Sequence, residues 1–209
     1  MPKSSKSITW IILIVAISLI KVWYQRQNLQ NHTSSRPPST TARGEWQAIT
    51  GARLLENSGN DGDSFHLDLP GHGDREVRLY FVDAPEKRRH QYNGDRLRHQ
   101  GAYFGGLSEA RTTAIGQQAK DFTATELRRQ PFTVHTRWQS VFGSERVFAF
   151  IQFADGDYLS EKLTRAGLSR IYTEGAPLPD GRRTFDFEQH LKKLEAEAKT
   201  RHLGGWSGR

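Results

Sequence analysis

"VRLYFVDAPEKRR", Val77–Arg89, is the stretch on which the reading of this chain turns. Val77, Leu79 and Phe81 alternate with Arg78, Tyr80 and Val82, the period of a strand with one buried face. Pro85 ends the strand and holds Ala84 extended, because its ring crowds the residue before it. A strand end needs turn residues. This one carries two carboxylates, Asp83 and Glu86, and then a basic run.

Upstream, "PGHGD" (Pro70–Asp74) is a turn, and before it Phe65, Leu67 and Leu69 alternate with His66 and Asp68. The two runs are predicted to form a hairpin. The start of one strand then lies beside the end of the other. "NDGDSF" puts Asp61 and Asp63 at that start, so four carboxylates are expected to converge from two separate stretches. Like charges at close range are costly unless a cation sits among them. Hard oxygen ligands suit Ca²⁺ or Mg²⁺, not zinc. The chain has no cysteine, which excludes thiolate zinc sites, disulfides and cysteine nucleophiles.

Asp-Gly is also ordinary turn chemistry, and Asp155-Gly156-Asp157 repeats the tripeptide without an acidic constellation. An EF-hand loop over Asn57–Asp68 is rejected. Gly59 stands at its third position and Asp68 replaces the bidentate Glu. Two arginines complete the pattern: Arg78 on the strand leading to Asp83, and Arg146 at the head of "RVFAFIQF". A guanidinium fork matches a phosphate by two parallel hydrogen bonds. A strict two-residue period puts Arg78 and Asp83 on opposite faces, so a bulge or the twist must re-aim one of them.

Further elements follow from periodicity and punctuation. A first strand is expected from Trp46. Lys87–Gly106 reads as a long loop. "IGQQAKDFTATELRRQ" reads as a helix with Ala119, Phe122 and Leu127 on one side, stopped by Pro131. "FTVHTRW" and "RVFAFIQF" are strands, the second with Val147, Ala149, Ile151 and Phe153 on one face. "YLSEKLTRAG" is a short helix capped by Gly167. Asp186 is expected to cap a last helix with the stripe Leu191, Leu194 and Ala198. Five antiparallel strands with about three helices, one of them after the third strand, is an α+β pattern compatible with a small closed β-barrel of the OB type. The eight histidines include none that reads as catalytic.

The N-terminal region differs in kind. Lys3 and Lys6 precede "ITWIILIVAISLIKVWY", Ile8–Tyr24, bracketed by Trp10 and Trp23-Tyr24 as interfacial aromatics would be. No small-residue cleavage site follows it. An uncleaved membrane anchor is therefore expected over residues 1–24, with a signal peptide and secretion as the alternative. Residues 25–44 are a polar, Pro- and Ser/Thr-rich tether, and the folded domain is expected over 45–209. The formal net charge of +7 favours a polyanionic partner.

In order, "DGDSFHL", "VRLYFVDAPE", "GQQAKDFTATEL", "ERVFAFI", "LSEKLTRAGLSRIY" and "FEQHLKKLEAEAKTRHLGGWS" resemble the staphylococcal nuclease (thermonuclease) family, over about Trp46 to Trp206. The resemblance implies an OB-fold barrel with helices and a Ca²⁺-dependent nuclease acting on DNA and RNA, with Mg²⁺ second to Ca²⁺. It implies that Asp63 and Asp83 bind the metal, with the Ala84 carbonyl and Asp61 as an outer acid. It implies Glu86 as the base for the attacking water, and Arg78 and Arg146 as the phosphate-binding pair. Ser144 and Glu145 stand where the family carries a tyrosine and a glycine, and Tyr172 corresponds to one of its base-site aromatics within a residue. Arg88, Arg89, Arg96 and Arg98 belong to a basic loop, interleaved with Tyr92 and Tyr103, that suits single-stranded nucleic acid. A monomer is expected, with the nuclease domain outside the cytoplasm. The rival is an OB-type module that binds nucleic acid or a protein without cutting. Four carboxylates in a basic site argue against it, because they repel phosphate.

Overall fold

The computed structural model describes residues 45–207. The expected N-terminal anchor and the tether lie outside those residues. Among the described residues no helix is long and apolar enough to cross a membrane.

The elements in chain order are β1 (Gln47–Thr50), β2 (Arg53–Leu54), β3 (Ser64–Leu69), β4 (Gly73–Leu79), β5 (Val82–Asp83), α1 (Gly94–Tyr103), α2 (Glu109–Arg129), β6 (Phe132–Ser140), β7 (Val147–Phe153), α3 (Leu159–Arg165), β8 (Arg170–Ile171) and α4 (Thr184–Thr200). A 3₁₀ turn, Gly204–Trp206, follows. Six strands form one mixed sheet in the order β1-β6-β7-β4-β3-β2, and β5 pairs with β8 separately. The architecture is α+β with four helices. This corrects the expectation of five antiparallel strands and about three helices. β4 runs parallel to β7, and no ladder joins β1 to β2.

The hairpin forms as its alternation requires, with Ser64 opposite Arg78 and Phe65 opposite Val77. Leu67, Leu69, Val77 and Leu79 face the core. β7 is buried on both faces, because Phe148 and Phe150 are covered as fully as Ala149 and Ile151. Tyr80 stacks on both phenylalanines, at 4.8 and 4.9 Å between centroids.

Residues 87–106 are not a bare loop. Residues 94–103 form α1, which has one buried apolar side chain, Leu97, beside buried Gln100 and Gly101. That pattern is too polar to register as an amphipathic stripe. α2 begins at Glu109, earlier than its apolar period, because Ser108 caps it by accepting from the Arg111 amide at 3.3 Å. Asp186 is not a cap. α4 starts at Thr184, and Asp186 lies in its first turn, paired with Arg183 at 2.7 Å. The end of α1 is pinned from two sides. Phe104 packs on Trp206 at 4.9 Å, and the Tyr103 hydroxyl donates to Glu195 on α4.

Candidate active site

β4 stops at Leu79 and β5 starts at Val82; between them Phe81 has a positive φ of 69°. A phenylalanine in this region is strained, and here the bend does what the sequence left open. It turns Asp83 back toward Arg78. The guanidinium bridges both acids, with Nη1 donating to Asp63 Oδ1 at 2.6 Å and Nη2 to Asp83 Oδ1 at 2.8 Å. All three side chains are buried.

The loop carrying Asp61 and Asp63 is wedged against α2. A Cβ on Gly62 would stand 2.6 Å from the Ala119 Cβ and 2.9 Å from the Ala84 Cβ. The Thr123 hydroxyl donates to the Gly62 carbonyl at 2.7 Å. Asp63 Oδ2 accepts from the Ala84 amide. The "DAP" turn is thus fixed by the acid it faces.

Three groups hold Asp83 in addition to Arg78. Register places Arg170 on β8 opposite it, and Arg170 Nε reaches Asp83 Oδ2 at 2.7 Å. From α1, Gln100 Nε2 donates to Asp83 Oδ2 at 3.0 Å and to the Ala84 carbonyl at 3.1 Å. Arg96, one turn earlier, donates from Nη2 to Asp83 Oδ1 at 2.9 Å. Glu86 is held from α1 and its approach. Its amide donates to Gln100 Oε1 at 3.0 Å, its Oε1 pairs with Arg96 Nε at 3.1 Å, and its Oε2 accepts from Asn93 Nδ2 at 3.3 Å.

The two central acids titrate in opposite directions. Burial, reinforced by the charges of Asp83 and Asp61, pushes Asp63 up to about 7 against the pull of Arg78 and the Ala84 amide. Burial also acts to raise Asp83, but Arg78, Arg96 and Arg170 outweigh it and bring Asp83 down to about 2.

The site opens into a cleft of about 790 Å³ lined by Arg78, Asp83, Arg96, Arg146, Phe142 and Tyr172, among others. Arg146 is loosely held, 4.0 Å from Glu76. Tyr172 is exposed and lies beneath the Arg170 guanidinium at 3.8 Å. Ser144 does not line the cleft. Its hydroxyl is used within its own turn, donating to the Val141 carbonyl at 2.7 Å. The exposed aromatic at that position is Phe142, held out by a positive φ of 50°. Arg88 and Arg89 are also absent from the cleft lining, and Arg89 pairs with Glu109 at 3.2 Å.

The four expected carboxylates therefore do not meet directly. Among the described residues no three acidic, His or Cys side chains gather as a ready cation site, because Arg78 lies between Asp63 and Asp83. Charge balance is uneven across the cluster, however. Asp83 is saturated by donors. Asp61 Oδ1 is buried with Lys87 Nζ 2.9 Å away as an ion pair, and Asp63 accepts from Arg78 and the Ala84 amide. Asp61 and Asp63 are hard oxygen donors of the kind a divalent cation takes.

A family model described as Staphylococcal nuclease homologue matches residues 76–208. The chain belongs to the staphylococcal nuclease family. That family generally comprises nucleases. No curated protein matches the chain. The family match begins at Glu76, so the Asp61–Asp63 loop joins this nuclease-like site through the β3–β4 hairpin. Reading the sequence alone misses Arg170 and Gln100. Arg170 sits in a two-residue strand with no period to read, and Gln100 in a helix taken for a loop.

Proposed function

We propose that this protein is a metal-dependent nuclease that hydrolyses phosphodiester bonds of DNA or RNA, with Ca²⁺ as the metal and Mg²⁺ second. The observation that carries the proposal is Arg78 bridging Asp63 and Asp83 at the floor of a basic cleft that Arg146 also lines. Membership of the family supports it.

Asp61 and Asp63 are the carboxylates that would hold the cation; the family resemblance adds Asp83 and the Ala84 carbonyl, which here accept from Arg78, Arg96, Arg170 and Gln100. When bound, the cation supplies Lewis-acid polarisation of the phosphoryl oxygens. The chain's own residues do the rest. Arg78 and Arg146 hold the phosphate and stabilise the charge that develops in the transition state. Glu86 orients a water and accepts its proton as the water oxygen bonds to phosphorus and the P–O5′ bond breaks. Tyr172 offers its face to a base, which favours single strands.

The sheet supports the OB-barrel reading. β1 and β2 are the two ends of the strand order, yet they are separated in sequence only by Gly51 and Ala52. Counted as one bent strand they turn six strands into five and span both edges. Residues 8–24 we read as a membrane tether, on the strength of their apolar run, and the domain as a monomer outside the cytoplasm.

The rival, a binding module without catalysis, is favoured by one observation: three arginines and a glutamine already satisfy Asp83. Arginine substitution separates the two. Arg78→Lys and Arg146→Ala should each lower kcat by about 10²–10³, since each removes one aimed electrostatic group. An Arg78→Lys variant with full activity would sink the bidentate assignment.

A further inference from the structure

Arg96 is poised differently from the other arginines on the carboxylates. The side chains of Arg78 and Arg170 are 10% and 7% exposed, whereas that of Arg96 is 47% exposed. Its backbone is fixed, because Leu97 and Gln100 are buried and the helix end is tied to α4 through Tyr103. Movement of Arg96 is therefore movement of the side chain alone, and a half-exposed ion pair is cheaply exchanged. Its departure leaves Asp83 with Arg78, Arg170 and Gln100. It leaves Glu86 with Asn93, a neutral donor.

We propose that Arg96 is a third phosphate ligand of the cleft, released from Glu86 and Asp83 to a backbone phosphate when single-stranded nucleic acid enters. The exchange conserves charge pairing. The incoming phosphodiester takes the guanidinium, and Glu86 keeps its hydrogen bond from Asn93. The guanidinium fork that now spans Asp83 and Glu86 presents the same two N–H groups to two phosphate oxygens. The inference rests on the nuclease reading for its substrate class.

The test is binding, so that it does not depend on cutting. The full-length chain would be titrated with a short labelled oligothymidylate in chelator over a series of KCl concentrations. Arg96→Gln should weaken binding about 3–10-fold at low salt and reduce the slope of log K against log[salt] by about 0.7, the share of one phosphate contact on a single strand. Arg96→Lys should keep most of the slope. Arg98→Gln, on the same helix but outside the cleft and paired with Asp95, should leave it unchanged. In turnover the Arg96→Gln loss should fall on KM more than on kcat. An Arg96→Gln slope equal to wild type would overturn the assignment, as would an equal fall in Arg98→Gln or a wild-type chain that does not bind at low salt. Salt-sensitive binding that responds to Arg96 in a protein that never cuts would leave the assignment standing and remove the nuclease reading.

Discussion

Asp63 and Asp83 sit on one guanidinium, yet their environments pull them apart. Asp63 rises from an ordinary 3.8 to about 7, so its native form binds a proton that the unfolded chain has already lost. Its contribution to stability is full below pH 3.8 and disappears as pH rises through 7. Asp83 is the reverse. Lowered from 3.8 to about 2, it contributes above its unfolded value and is lost as pH falls through 2. In chelator, Asp63→Asn should therefore flatten the loss of stability between pH 4 and 7. Asp83→Asn should cost about 3–5 kcal/mol, because it strands buried Arg170. Thermal melts read both, at about 2–4 °C per kcal/mol for a chain of this size. Equal destabilisation by the two variants would contradict the asymmetry. The residues at this centre were legible in the sequence because DGD and VDAPE flank paired strands. Their relation was legible only as a conflict of faces, which the bend at Phe81 resolves.

At the scale of elements, two helices set the site from behind. α2 meets the Pro85–Glu86 backbone at Gly116, where a Cβ would stand 2.4 Å from the Pro85 carbonyl and 2.5 Å from that of Glu86. Gly116→Ala forces the turn away from the helix. It should cost about 1–3 kcal/mol as overpacking does, and should lower cleavage more than a surface Gly→Ala control of equal stability. Unchanged melting and unchanged cleavage would show that the turn tolerates displacement. α1 contributes Arg96 and Gln100, and it was hidden because a helix with one buried apolar residue has no stripe. The Asn93 side chain orders its approach, accepting from the His90 amide at 2.9 Å and donating to the Arg88 carbonyl at 3.0 Å. Those are hydrogen bonds that hydropathy does not encode.

Across the whole domain, the β3–β4 hairpin was readable from period and turn, whereas the parallel β4–β7 pair was not, since nothing local marks which distant strand will be a neighbour. The two-strand β5–β8 pair is shorter still and delivers Arg170 to Asp83. Near the C-terminus the Gly205 amide donates to the Gly167 carbonyl at 2.9 Å, just after α3. The central claim is that the cluster of acids and arginines held by β3, β4, β5, β8 and α1 cuts phosphodiesters. The most direct measurement is cleavage of labelled single-stranded DNA by the full-length chain with Ca²⁺, with Mg²⁺ and with chelator, beside Glu86→Gln. The account predicts cutting with Ca²⁺, none in chelator, and a loss of about 10²–10³ in the variant. Salt-sensitive binding without cutting under either metal would contradict it and leave a module that binds nucleic acid and no longer cleaves it.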